Sequence, residues 1–217
     1  MTGEPSSAPG GPRVEVSVVI PVFRSASIVG RTVTETLAEL RTAGRPFELV
    51  LVEDASPDAS WEVVRGLAVE HPEVRAFRLL RNSGQHLALL CGLARARGEV
   101  VVTMDDDLQN PPSQIERLLA ALEADPTVDL VLGDSERRQH HWFRRAGSRL
   151  VRRLSRRIFA SPSAVRPSNF RAIRRPLVDR VVGHRGPAPF LPGVLTMYTH
   201  HPVNVTVEHA PRAAGSS

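Results

Sequence analysis

Lysine is absent from this 217-residue chain: all 28 of its Lys and Arg positions are arginine, which excludes a catalytic lysine. The single cysteine, Cys91, cannot close an internal disulfide. It falls in an apolar helical pattern, as expected of a core residue in a reducing compartment. Aromatic residues make up 5% of the chain and none interleave with the later arginines. Base stacking is therefore poorly supported, and no nucleic-acid partner is expected. No apolar run approaches the length of a membrane span, and the Pro/Gly/Ser-rich first twelve residues lack a signal-peptide core. The expected location is the cytoplasm, either soluble or peripheral on the inner face of the membrane. Neither GxGxxG nor GxxxxGK[ST] follows any apolar run, so neither the dinucleotide-binding fingerprint nor a P-loop is supported.

What is present divides the chain in two. Hydrophobic residues are 41% of the sequence, enough for one packed domain. Residues 1–136 carry 12 Arg against 21 acids, a net charge of −9, whereas residues 137–185 carry 15 Arg against Asp179 alone, a net of +14. Such asymmetry points to two jobs on one chain. The expected organisation is a tail over 1–12, a domain over 13–209 and a terminal loop over 210–217. Within the domain, 13–136 form an acidic half and 137–209 a basic one.

Apolar runs over 14–23, 47–52, 74–80, 100–104, 128–132 and 203–207 read as strands. Helical stripes over 28–40, 61–69, 87–96 and 113–123 alternate with the first five of them. That order predicts an α/β fold, a mostly parallel sheet with helices on both faces. Polar loops then fall at strand carboxyl ends over 53–58, 81–86 and 105–110, where such sheets keep their ligands.

The sharpest of these loops is Asp105-Asp106-Asp107-Leu108-Gln109. In an extended segment Asp105 and Asp107 point the same way and Asp106 elsewhere. Hard oxygens suit Mg²⁺ or Mn²⁺, which commonly take one or two carboxylates plus substrate phosphates. The alternative is a solvated acidic turn, because Pro111, Pro112 and Ser113 also start helices well. Glu53 and Asp54 can accept hydrogen bonds from a base or ribose.

The segments VSVVIPVF, LVEDASPD, RNSGQHLALLCGL, VVTMDDDLQNPPSQI and NFRAIRR together resemble family 2 glycosyltransferases of the inverting GT-A type. Within it they resemble the polyprenyl-phosphate branch, which includes dolichol-phosphate mannose synthases and undecaprenyl-phosphate aminoarabinose transferases. The resemblance implies a Rossmann-like GT-A domain that moves a sugar from a nucleotide-sugar, commonly UDP-linked, to a polyprenyl phosphate. It implies a metal at Asp105, Asp107 and Gln109, and donor contacts at Pro21, Phe23, Glu53, Asp54, Arg81 and Gln85, with Asp106 counted among them. Arg144, Arg145, Arg171 and Arg212 are implied at the acceptor phosphate. Asp105, Asp107 and Arg171 form the expected catalytic set. The chain departs from the family at Phe23-Arg24-Ser25, where Tyr-Asn-Glu is usual. It also lacks the family's Asp near Val165 and Arg166.

Residues 142–159 (WFRRAGSRLVRRLSRRIF) have helical period, with Phe143, Leu150, Val151, Leu154 and Ile158 on one face and five arginines on the other. A basic amphipathic helix of this kind suits an anionic membrane surface. Each basic residue there contributes about 1 kcal/mol. A core-packing helix with a solvated basic face is the bland alternative. A phosphate acceptor is already ionised and requires no general base, whereas a hydroxyl acceptor, such as a secondary metabolite, would. A non-catalytic binding module is disfavoured by the complete metal set. Self-association is left open.

Overall fold

The computed structural model describes residues 13–135, 165–186 and 190–210. Residues 142–159, with Arg144 and Arg145, lie outside the described residues, as do Arg212 and both terminal segments.

β1 (Val16–Val22) is buried along its whole length. Apart from Ser17 its residues are apolar throughout, because each face of the strand meets a different core. Val16, Val18, Ile20 and Val22 pack with Val33, Leu37 and Leu40 of α1 (Val29–Ala43), and with Ile115, Leu118 and Leu122 of α4 (Ile115–Ala124). Val64 of α2 (Ser60–Glu70) joins that face. Val19 faces the opposite way, towards Leu89 and Leu93 of α3 (Gln85–Arg95). Two further helices complete this second face, α5 (Arg175–Val182) through Leu177 and Val178 and α6 (Leu191–Tyr198) through Leu191 and Leu195.

Among the described residues the sheet has seven strands, in the order β3-β2-β1-β4-β6-β5-β7. β2 (Phe47–Glu53), β3 (Val74–Arg78) and β4 (Val100–Thr103) run parallel to β1. β6 (Arg171–Arg174) is antiparallel to β4 on one side and to β5 (Leu130–Ser135) on the other. β7 (Pro202–Val207) lies parallel to β5. The expected α/β class and mostly parallel sheet are present. The sequence periodicity did not bring out β6, α5 or α6, and the helix expected over 113–123 starts with a 3-10 turn, Pro112–Gln114.

Two glycines hold α1 and α3 in place. Gly44, at φ 71°, caps α1 in the left-handed conformation and donates its N–H to Arg41 O. Gly92 lets α3 lie directly on the sheet, since a Cβ there would stand 2.2 Å from Val19 Cγ1. Among the described residues no helix is long and apolar enough to cross a membrane.

Candidate functional site

Parallel register places the ends of β1, β2 and β4 at one edge: Val22 pairs with Glu53, and Val19 with Thr103. The loops that leave these strands are tied to each other. Asp54 accepts the N–H groups of Ser83 (2.7 Å) and Gly84 (2.8 Å), which fixes the loop between β3 and α3. Glu53 is entirely buried. One of its oxygens accepts the Ser56 N–H, while the other stands 3.0 Å from Arg78 Nε as an ion pair rather than an aligned hydrogen bond. Ser60 Oγ accepts the Ser25 N–H at 2.9 Å, and Asp58 accepts from Ala26 N and Ser60 Oγ. Burial raises the Asp58 carboxyl, but these hydrogen bonds outweigh it and leave the group below the ordinary carboxylate range.

The acidic loop does not continue β4. The strand ends at Thr103, the chain turns at Asp106, and Leu108 sits at φ 58° with its side chain buried. The alternation expected of an extended segment is therefore replaced by a turn. What separates Asp106 from Asp105 is its partners, which come from the segment after β1 and from α1. Ser25 hydrogen-bonds the Asp106 side chain, and Thr32 Oγ1 donates to its backbone oxygen at 2.8 Å. Burial pushes the Asp106 carboxyl up to about 6 against that Ser25 bond, and the charges of Asp105 and Asp107 push the same way.

Asp105 is held on both oxygens. Gln85 Nε2 donates to Oδ1 at 2.6 Å, and Asn169 Nδ2 reaches Oδ2 at 3.5 Å. Burial, and next the charge of Asp107, raise its carboxyl above the ordinary range, while Asn169, Arg171 and Gln85 pull it back. Asp107 Oδ1 accepts the Gln109 N–H at 3.1 Å. A carboxylate whose ionisation is opposed by burial and by the charge of a neighbouring carboxylate suits a divalent cation. Among the described residues no group of three or more His, Cys, Asp or Glu side chains converges on one point. A cation here would draw on Asp105 and Asp107, with the Gln109 amide and substrate oxygens completing its shell.

Asp105 stands between two clefts. The larger, about 410 Å³, is lined by Pro21, Phe23, Asp54, Gln85 and all three aspartates of the loop. The smaller, about 170 Å³, is lined by Asp105, Gln109, Asp134, Asn169, Pro192 and His209. Ala210 N donates to Gln109 O at 2.9 Å, so the segment after β7 rests on the acidic loop. Arg81 is exposed on the loop before α3.

Arg171 does not stand at the cleft surface, where an acceptor phosphate would meet it. It is fully buried, with Nε donating to Thr103 Oγ1 and Nη2 to Asn169 Oδ1, each at 3.1 Å. Burial lowers its guanidinium to about 10, against the pull of Asp105. His86 is held below the ordinary imidazole value by burial and then by the charge of Arg171. Asn169, Asp134, Ser25 and His86 were not singled out from sequence as site residues. Asn169 had a signal in its place at the head of NFRAIRR, His86 in the RNSGQHLALLCGL segment and Ser25 in the Phe23-Arg24-Ser25 departure.

The family model described as "Glycosyl transferase family 2" matches residues 17–182. Among solved structures, the fold resembles a mannosyltransferase from Pyrobaculum calidifontis in complex with GDP-Man and Mn²⁺, at TM-score 0.65 and 22% identity over 94% of this chain. This chain spans 59% of that protein's length. It also resembles glucosyl-3-phosphoglycerate synthase from Mycobacterium tuberculosis in complex with Mn²⁺, UDP-Glc and phosphoglyceric acid. There the TM-score is 0.62 at 19% identity, over 95% of this chain and 78% of that one. At these identities the likeness is one of fold.

Proposed function

The chain belongs to glycosyl transferase family 2, and from that premise we propose that it transfers a sugar from a nucleotide-sugar in the larger cleft to an acceptor in the smaller one. The observation that carries this reading is that Asp105 lines both clefts. A reacting centre shared by donor and acceptor belongs at such a partition.

The nucleotide packs on Pro21 and Phe23 beside Asp54, with Glu53 beneath and Asp106 facing the same cleft. The diphosphate lies towards Gln85, with Arg81 near it. Mg²⁺ or Mn²⁺ would be held by Asp105, Asp107 and Gln109, and when bound it neutralises charge developing on the diphosphate leaving group. The two solved relatives, with GDP-Man or UDP-Glc and Mn²⁺ in their complexes, support this choice of donor and ion. UDP is our choice of nucleotide here, and the transfer inverts the anomeric centre.

The acceptor is a polyprenyl phosphate at the cytoplasmic membrane face. The arginine excess of residues 137–185 supports this, because a planar guanidinium bonds two phosphate oxygens at once. Arg144, Arg145 and Arg212 are its contacts. A second reading, a hydroxyl acceptor, is favoured by Asp134, a carboxylate in the smaller cleft. The test is a panel of nucleotide-sugars assayed with and without a short-chain polyprenyl phosphate. Lipid-dependent transfer supports the first reading, and transfer only to hydroxyl compounds supports the second. Asp105→Ala is expected to lower turnover by several kcal/mol in barrier, roughly a thousand-fold or more, with the fold intact. Unchanged activity in that variant would remove the metal assignment.

A further inference from the structure

We propose that Arg171 is a positioning residue: it sets the amide of Asn169, and through that amide fixes which side of Asp105 faces the cation. The proposal rests on the reading of Asp105 as a cation ligand.

A guanidinium carries donors only. Arg171 Nη2 donates to Asn169 Oδ1 at 3.1 Å, so the Asn169 amide must turn its Nδ2 outward, towards Asp105 Oδ2 at 3.5 Å. The other end of the assembly is closed as well. Arg171 Nε donates to Thr103 Oγ1 at 3.1 Å, which leaves the Thr103 hydroxyl to donate to the Asn169 backbone oxygen at 2.6 Å. Thr103 and Arg171 are direct partners across β4 and β6, so strand register sets this geometry. A carboxylate offers about four lone-pair sites. Gln85 takes one on Oδ1 and Asn169 one on Oδ2, and the remaining pairs are left in a defined direction for an ion.

An apolar side chain would fill this buried position without desolvating a charge. Arg171 is instead completely enclosed, and among the described residues its Nη1 has no hydrogen-bond partner. That cost is understandable if the guanidinium is what makes the amide orientation unambiguous. Lysine could supply the charge but not the planar fork that spans Thr103 and Asn169.

Two variants of the full chain test the idea, with Mn²⁺ alone as the probe, titrated by electron paramagnetic resonance. Asn169→Asp is nearly isosteric but replaces the donor with an acceptor, and Arg171→Lys keeps charge without the fork. Each is expected to raise the Mn²⁺ dissociation constant roughly 10- to 100-fold, as loss of an outer-shell partner does. The thermal midpoint of Asn169→Asp should stay near that of the wild type. A purely structural role would lower the midpoint and leave the Mn²⁺ constant unchanged. Folded variants that bind Mn²⁺ like the wild type overturn the proposal alone. A wild-type chain that binds no Mn²⁺ overturns the cation reading together with it. If Arg171→Lys fails to fold, the half-buried Asn169→Asp carries the test.

Discussion

In the larger cleft the loops are tied together by carboxylates that accept backbone N–H groups: Asp54 from Ser83 and Gly84, Glu53 from Ser56, Asp58 from Ala26 and Ser60. In the smaller cleft an amide side chain also ties the backbone, but beside it stands an ion pair nearer the surface. Arg166 Nη1 pairs with Asp134 Oδ2 at 2.6 Å, and the Asn204 amide bonds the Arg166 N–H and carbonyl at 2.8 and 3.0 Å. Backbone ties fix the path of the chain, whereas an exposed ion pair trades readily with water. On the reading proposed above, the exposed ion pair leaves the acceptor side freer than the donor side to adapt to what enters it.

The largest break in that contrast should come from Asp54→Ala. It leaves two N–H groups at the edge of the core without their acceptor, at a cost of about 1–3 kcal/mol each where water cannot replace it. Urea unfolding should register the loss, and the donor KM should rise roughly ten-fold, since each 1.4 kcal/mol is a factor of ten. An unchanged donor KM would mean that the β3–α3 loop does not shape the larger cleft. Arg166→Ala should act oppositely and more weakly. The pair is 59% and 23% exposed, so its loss should cost under about 1 kcal/mol. The acceptor KM should change while the donor KM holds; a matching rise in donor KM would erase the distinction between the clefts.

These differences explain what was legible in sequence. β1 could be read because both of its faces are buried, so nearly every residue of the run is apolar. The acidic loop could be read because chemistry, not packing, chose its residues. β6 escaped because Arg171 and Arg174 flank only two apolar residues, and nothing in four letters says that an arginine is enclosed. Glu53 looked like a ligand-facing acid at a strand end, yet it is buried and bonded to the Ser56 N–H. Side chain to backbone bonding of that kind leaves no periodicity to detect. The same limit hid Asn169, whose role depends on a partner two residues away along the chain and another 64 away.

The weakest expected effect lies where the two sides meet. His86, on the donor-side helix α3, packs edge-on against Phe190 at the start of α6, with ring centroids 5.1 Å apart. Burial, then the Arg171 charge, lowers its imidazole below the usual value of 6.5. The unfolded chain therefore binds a proton that the folded chain refuses. The sign follows: this contribution to stability is fully present above pH 6.5 and is lost as pH falls from there through the folded value. Other groups titrate in the same range, so the discriminating quantity is a difference between two proteins. Comparing urea midpoints at about pH 7.5 and about pH 5.5, the drop in the wild type should exceed the drop in His86→Gln. Equal drops would show that the imidazole keeps its proton in the fold, and that the buried guanidinium of Arg171 does not reach across to the donor-side helix.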